Sequence, residues 1–244
     1  MGLVSTVALI LPIFTIFAMG LAGYRTFPAL VIYYAMSGIY NLLTEGYLPA
    51  SDDFTHYFGV TNNLLDTPLM LLFLTYLSPS QLLKKRMRIL VAVFLVFEAV
   101  VVSVYGFGVE SVTVILGPGI LLVLTFSIPF FIRLTRITIT HYKATGKAMM
   151  AASILFGYGC FSIIYIMYYL LEIRDVQNTF LVYFMVSTFS SLLMSVGIIL
   201  ERKRVKKLSE LKVVRKELSE VYRNEKAANP LRPAAFDFDK DLWN

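Results

Sequence analysis

The chain has 244 residues, of which 57% are hydrophobic and only 16% charged, and its 22 basic side chains outnumber 16 acidic ones. An ordinary soluble domain carries more charge than this, so that class is excluded. Charges cluster between long apolar runs and the mean hydropathy is +0.70, the pattern of a polytopic membrane protein.

Seven apolar runs can be read, at about 3–23, 27–46, 59–78, 89–107, 111–132, 148–171 and 178–200. Each is near the ~20 residues that cross the hydrocarbon core as a helix. None alternates as a barrel strand would. The predicted fold is all-α: residues 1–200 form a seven-transmembrane-helix bundle in a multi-pass integral membrane protein of a plasma or inner membrane.

The first run lacks a basic flank and is too long for the core of a cleavable signal. The second carries a polar stripe, Ser37, Tyr40, Asn41, Thr44 and Glu45, at helical spacing. The outer segment that follows, "EGYLPASDDFTHYFG", holds Glu45, Asp52, Asp53 and His56. It reads as a solvated acidic loop or as an oxygen-and-nitrogen cation site.

The third run, "VTNNLLDTPLMLLFLTYL", places Asn62, Asn63, Asp66, Thr67 and Pro68 close together in an apolar context. Asn62 and Asp66 lie one turn apart on one face. An acid within a span is a functional candidate by default. Desolvation disfavours its charged form, and no base lies at its depth in any run. Asp66 is therefore predicted as a neutral, hydrogen-bonded carboxylic acid facing inward, with partners from the second or seventh helix. Glu98 in the fourth run is a second buried acid, without polar companions on its own helix.

Pro118 and Pro129 predict kinks in the fifth run. The sixth carries Tyr158, Phe161, Tyr165, Tyr168 and Tyr169 with Ser162, either as packing or as a pocket wall. The seventh carries Ser187, Thr188, Ser190, Ser191 and Ser195, small hydroxyl residues suited to close helix contact. Beyond Leu200, residues 201–228 read as a basic amphipathic helix with Leu211, Val214, Leu218 and Val221 at 3-4 spacing. It would lie on the inner leaflet, or pair with a second copy or a cytoplasmic partner. Residues 229–244 form an acidic-aromatic tail, either disordered or a docking motif.

Basic residues fall on one side: Arg25, then Lys84 to Arg88, then Arg133 to Lys147, then Arg202 to Lys207. The opposite side carries Glu45, Asp52, Asp53, Glu110, Glu172 and Asp175, with Arg174 as its only strong base. The positive-inside rule places the N-terminus outside and the C-terminus in the cytoplasm. The net charge of +6 belongs to those inner segments, so it points to anionic lipid headgroups and not to nucleic acid. The histidines, His56 and His141, fall on opposite sides, so they cannot share a metal or serve a triad at membrane depth. No enzyme chemistry is indicated.

"NNLLDTPLMLL" resembles the third helix of the microbial rhodopsins. Aligning the prolines puts Asn62 at that family's proton-accepting carboxylate, Asn63 at its tryptophan and Asp66 at its threonine. Tyr158, Phe161, Ser162 and Tyr165 repeat the spacing of the residues that enclose retinal. "FLVYFMVSTFSSLLMSVGIILERKR" is similar to the seventh helix. The retinal-linking lysine would fall near Ser191 or Leu192, and the seventh run has no lysine. The resemblance thus implies an opsin-like protein without covalent retinal and without other cofactors. Two functions follow from it. One is a receptor or sensor holding an apolar, non-covalent ligand in an aromatic pocket between helices three, six and seven. The other is a carrier or proton pathway through Asn41, Glu45, Asn62 and Asp66.

Overall fold

A computed structural model describes residues 2–78, 80–141, 143–167 and 176–228. Tyr168, Tyr169, Glu172, Arg174, Asp175 and the tail 229–244 lie outside the described residues, and so does the side chain of Val221.

The described residues form seven α-helices and no strand: α1 (Gly2–Ala18), α2 (Phe27–Thr44), α3 (Asp52–Leu74), α4 (Gln81–Tyr105), α5 (Val109–His141), α6 (Thr145–Tyr165) and α7 (Val176–Ala228). Helices α2, α4, α5, α6 and the 181–220 part of α7 are long and apolar enough to cross a membrane. The short α1 is apolar but has 17 residues, and α3, with 23, is long enough but is not among the helices apolar enough to cross, because Asn62, Asn63 and Asp66 lower its hydropathy. These features fit a multi-pass membrane protein. Polarity is distributed accordingly: Val4, Phe14, Val104, Leu121 and Ile139 are exposed, while Ser5, Ser111, Ser127, Ser153 and Ser191 are buried. Lipid tolerates the first set and cannot hydrogen-bond the second.

Several boundaries differ from the sequence reading. The chain leaves α1 at Ala18, five residues early, through a turn with Gly20 at φ +63°. Helix α3 starts seven residues early, because Ser51 caps it by accepting from Phe54 N at 3.2 Å. Asp52 and Asp53 then sit in its first turn, where the helix dipole favours them. The acidic outer segment is therefore half helix, and no group of three metal-ligating side chains forms among the described residues. Pro118 and Pro129 lie inside α5 without ending it. The seventh helix does not stop at Leu200 either: α7 runs unbroken for 53 residues, roughly 80 Å at the helical rise. Glu, Lys, Arg and Leu beyond Leu200 are all good helix formers, which removes any local reason to break.

The helices pack in a ring in chain order, α7 closing onto α1, with α4 clipped outside against α3 and α5 alone. Inside the ring, Phe27 packs edge-to-face on Tyr76 and on Phe73, with centroids 5.2 and 5.7 Å apart. Close approach of α6 and α7 depends on Gly146 and Gly197. A Cβ at Gly146 would stand 2.8 Å from the Gly197 carbonyl oxygen, and one at Gly197 would stand 2.9 Å from the Met150 nitrogen.

Candidate functional site

The Tyr158 hydroxyl donates to Asp66 Oδ2 at 2.7 Å, joining α3 to α6 inside the ring. Tyr33 of α2 interacts with both of them. Asp66 is thus inward-facing and hydrogen-bonded, as its context in the sequence predicts. Tyr33 comes from α2, one of the two helices the sequence predicts, while Tyr158 comes from α6, which it does not. A tyrosine spans a gap that serine cannot, so α6 supplies the bond although α3 packs against α2, α4 and α5. No acid–base pair includes Asp66 among the described residues.

Tyr34, next along α2, points at Ser153 of α6 and Ser191 of α7. Ser153 and Ser190 bind reciprocally, Ser153 Oγ donating to the Ser190 carbonyl at 2.7 Å and Ser190 Oγ to the Ser153 carbonyl at 3.0 Å. A Cβ at Gly157 would meet Ser190 Oγ at 3.0 Å, so glycine lets the two helices close there. These groups enclose a cavity of about 20 Å³, lined by Tyr33, Tyr34, Met70, Ser153 and Tyr158 among others. That is room for about one water molecule, and its lining is polar enough to hold one. An apolar ligand of retinal size would have to displace these side chains. A second, apolar cavity of about 160 Å³ opens sideways between α1 and α2, against Ile10, Ile13, Tyr34, Gly38 and Leu42.

The other candidates are scattered. Asn41 is buried but binds Thr6 of α1, its Nδ2 donating to Oγ1 at 2.8 Å. Glu45 is exposed at the end of α2. Asn63 donates back to the Gly59 carbonyl of its own helix at 2.9 Å, and Asn62 makes no interhelical bond among the described residues. Thr67 is buried facing Gly119 of α5. Phe161 stacks on Tyr183 with centroids 5.5 Å apart and touches Tyr158 edge-on. Tyr165 donates to the Thr113 carbonyl of α5 at 3.3 Å. Ser187 and Ser191 are buried in α7, and Ser195 donates to the Ser191 carbonyl at 2.9 Å.

Glu98 is buried among Phe94, Phe97 and Val101 between α4 and its neighbours, with Oε1 unpartnered, and it interacts electrostatically with Asp66. Two acids, one on α3 and one on α4, therefore interact within the bundle. The sequence reading also passed over Tyr33 and Tyr34. Their signal was available, as two hydroxyl-tipped rings inside the run "LVIYYAM", four and three residues before Ser37 and so on the same helical stripe.

At the basic end a different cluster surrounds Tyr76, just past α3. Its hydroxyl donates to Glu201 of α7, and Arg204 clasps the same carboxylate, with Nε 2.9 and 3.0 Å from its two oxygens. Glu201 is fully buried. Lys147 of α6 donates to the Tyr76 carbonyl at 3.3 Å and stands 4.5 Å from the ring centroid. Comparison with family models, with curated proteins and with solved structures finds no match to this chain.

Proposed function

We propose that this is an opsin-like, seven-span membrane protein without covalent retinal, N-terminus outside, which responds to protons through Asp66. The observation that carries the reading is the Tyr158–Asp66 hydrogen bond beside a cavity of water size. A carboxylic acid with a hydroxyl partner and no cation can take up or release a proton by exchanging one hydrogen bond for another. Loss of the proton would place a charge against Tyr158 on α6. That helix is joined to α7 through Ser153 and Ser190, and α7 continues past the membrane as one rod. A rotation of α6 would reach the far end of α7 by this route, which suits a sensor.

Infrared difference spectra of the protein in bilayers, acid minus alkaline, should show a protonated-carboxyl band that Asp66→Asn removes and Tyr158→Phe shifts. A pH-independent spectrum, or one unchanged in Asp66→Asn, would sink the reading. Asp66→Asn should fold, because the amide keeps most of the bonds. For orientation, a cysteine at Ala50 should label from outside in a Cys160→Ser background and one at Thr145 should not; the reverse pattern would invert the topology.

The groove between α1 and α2 favours a second reading, a receptor for an apolar ligand. It shares Tyr34 with the inner cavity, so an apolar chain seated there would press on the contacts of Tyr34 with Ser153 and Ser191. Under this reading Gly38→Leu, which fills the groove, abolishes the response and leaves the Asp66 carboxyl band in place. A response that survived the filled groove would remove it.

A further inference from the structure

Four cations converge on the basic end of the bundle from four different elements. Arg25 comes from the α1–α2 turn, Lys84 from the start of α4, Lys147 from the start of α6 and Arg204 from α7. The Arg25 guanidinium lies 5.9 Å from the Tyr76 ring centroid and 5.4 Å from that of Tyr24, while Lys147 stands 4.5 Å from Tyr76. Two cations are thus held within about one Debye length of each other on a single aromatic ring. The same groups act on one another: Lys147 feels Arg204, Arg25 and Lys84, and Lys84 feels Arg25 and Arg88.

One acid faces this group, Glu201, and it is already taken by Arg204 and by the Tyr76 hydroxyl. Arg25, Lys84 and Lys147 have no carboxylate partner among the described residues. The arrangement is also built at a cost in local conformation. Arg25 is the one described non-glycine residue at positive φ, +51°, a left-handed region that favours glycine. Neutral glycine stands two residues earlier, at Gly23, where nothing needs the space. The strained position is instead occupied by the arginine that reaches Tyr76.

We propose that this end of the bundle is a binding site for a phosphate group, held by Arg25 and Lys84 over the Tyr76 ring with Lys147 behind. Guanidinium and ammonium are the donors that recognise phosphate oxygens. Lys147, with three donor hydrogens and one hydrogen bond to Tyr76, has donors to spare. The site lies where the apolar surface of the helices gives way to the basic segments, which is headgroup depth for a phospholipid. A lipid phosphate and a free phosphate share this chemistry. An occupant would tie α1, α4 and α6 to the Glu201–Arg204 clasp of α7 and so bear on how α7 leaves the membrane.

The test uses the full chain with bound lipid counted by native mass spectrometry, after exposure to equal amounts of phosphatidylglycerol and phosphatidylcholine. Wild-type protein should retain the anionic lipid preferentially. The double variant Arg25→Asn, Lys84→Gln should lose that preference at least about tenfold, since each surface cation contributes near 1 kcal/mol toward an anionic headgroup. Asparagine tolerates left-handed backbone, so the turn is preserved. The control Lys85→Gln, Arg86→Gln removes the same charge from exposed positions on the same helix and should keep the preference. A parallel melting experiment with inorganic phosphate separates the sources. A shift in wild type that the double variant lacks identifies phosphate itself as sufficient, while lipid retention without such a shift identifies a headgroup. Equal loss in variant and control, or no preference and no shift in wild type, overturns the proposal. None of these readouts depends on Asp66, and Asp66→Asn should leave them unchanged.

Discussion

Asp66 and Glu201 occupy two levels of one bundle, and a tyrosine donates to each, yet only Glu201 has a cation. Glu201 is fully buried and clasped by Arg204, whose other end reaches the surface. Its charge is compensated in place, so the cluster acts as a fixed joint between α3 and α7. Asp66 has hydroxyl partners only, beside space for about one water. Its state is left to the proton. The difference teaches how depth sorts acids in this chain: near the basic end an arginine can pair and still contact water, whereas at mid-depth a cation would itself need a partner.

The comparison breaks most forcefully at the joint. Arg204→Ala leaves Glu201 buried without its cation, which typically costs about 3–5 kcal/mol. A large fall in melting temperature is expected, with partial recovery in Arg204→Ala, Glu201→Leu, where neither charge remains. If the single variant melted like wild type, Glu201 would not be the charged anchor described.

Gly146→Ala tests whether the joint depends on close helix approach. The added carbon would meet the Glu201 backbone and the Gly197 carbonyl, and overpacking of this kind costs about 1–3 kcal/mol. Stability should fall while the Asp66 carboxyl band persists, because Tyr158 lies more than three turns further along α6. Loss of the band together with stability would show that the two regions are not separable.

Glu98→Leu should have the smallest effect. Its carboxyl already has one unpartnered oxygen in apolar surroundings, so replacing it is expected to be neutral or stabilising by about 1 kcal/mol. A marked loss of stability would mean that Glu98 holds a partner of its own. A change in the Asp66 band without loss of stability would instead tie the two acids into one titrating pair.

Much of this architecture was legible beforehand. Apolar length picked out the runs, and the Asn62–Asp66 spacing marked the interior acid, because a span has to hide such groups whatever its neighbours are. Helix ends were read less well. Ser51 and Gly20 act through local hydrogen bonds and φ, which hydropathy does not see. Position after Leu200 suggested that Glu201 belonged to a solvated segment, yet it is the most deeply buried acid of the described chain.

Sequence alone determined that the chain is helical, that most of its helices are apolar enough for a bilayer, that its bases gather in a few segments and that its seventh apolar run holds no lysine. Those properties follow from composition along one strand of chain. Which polar groups meet was decided only by the tertiary structure. The polar groups of the second and third runs meet different partners: Asn41 binds Thr6, Glu45 is exposed at the surface, and Asp66 binds Tyr158, 92 residues away. Helical periodicity assigns a residue to a face. Helix rotation and the reach of the side chains, here the long tyrosines of α2 and α6, decide what that face meets.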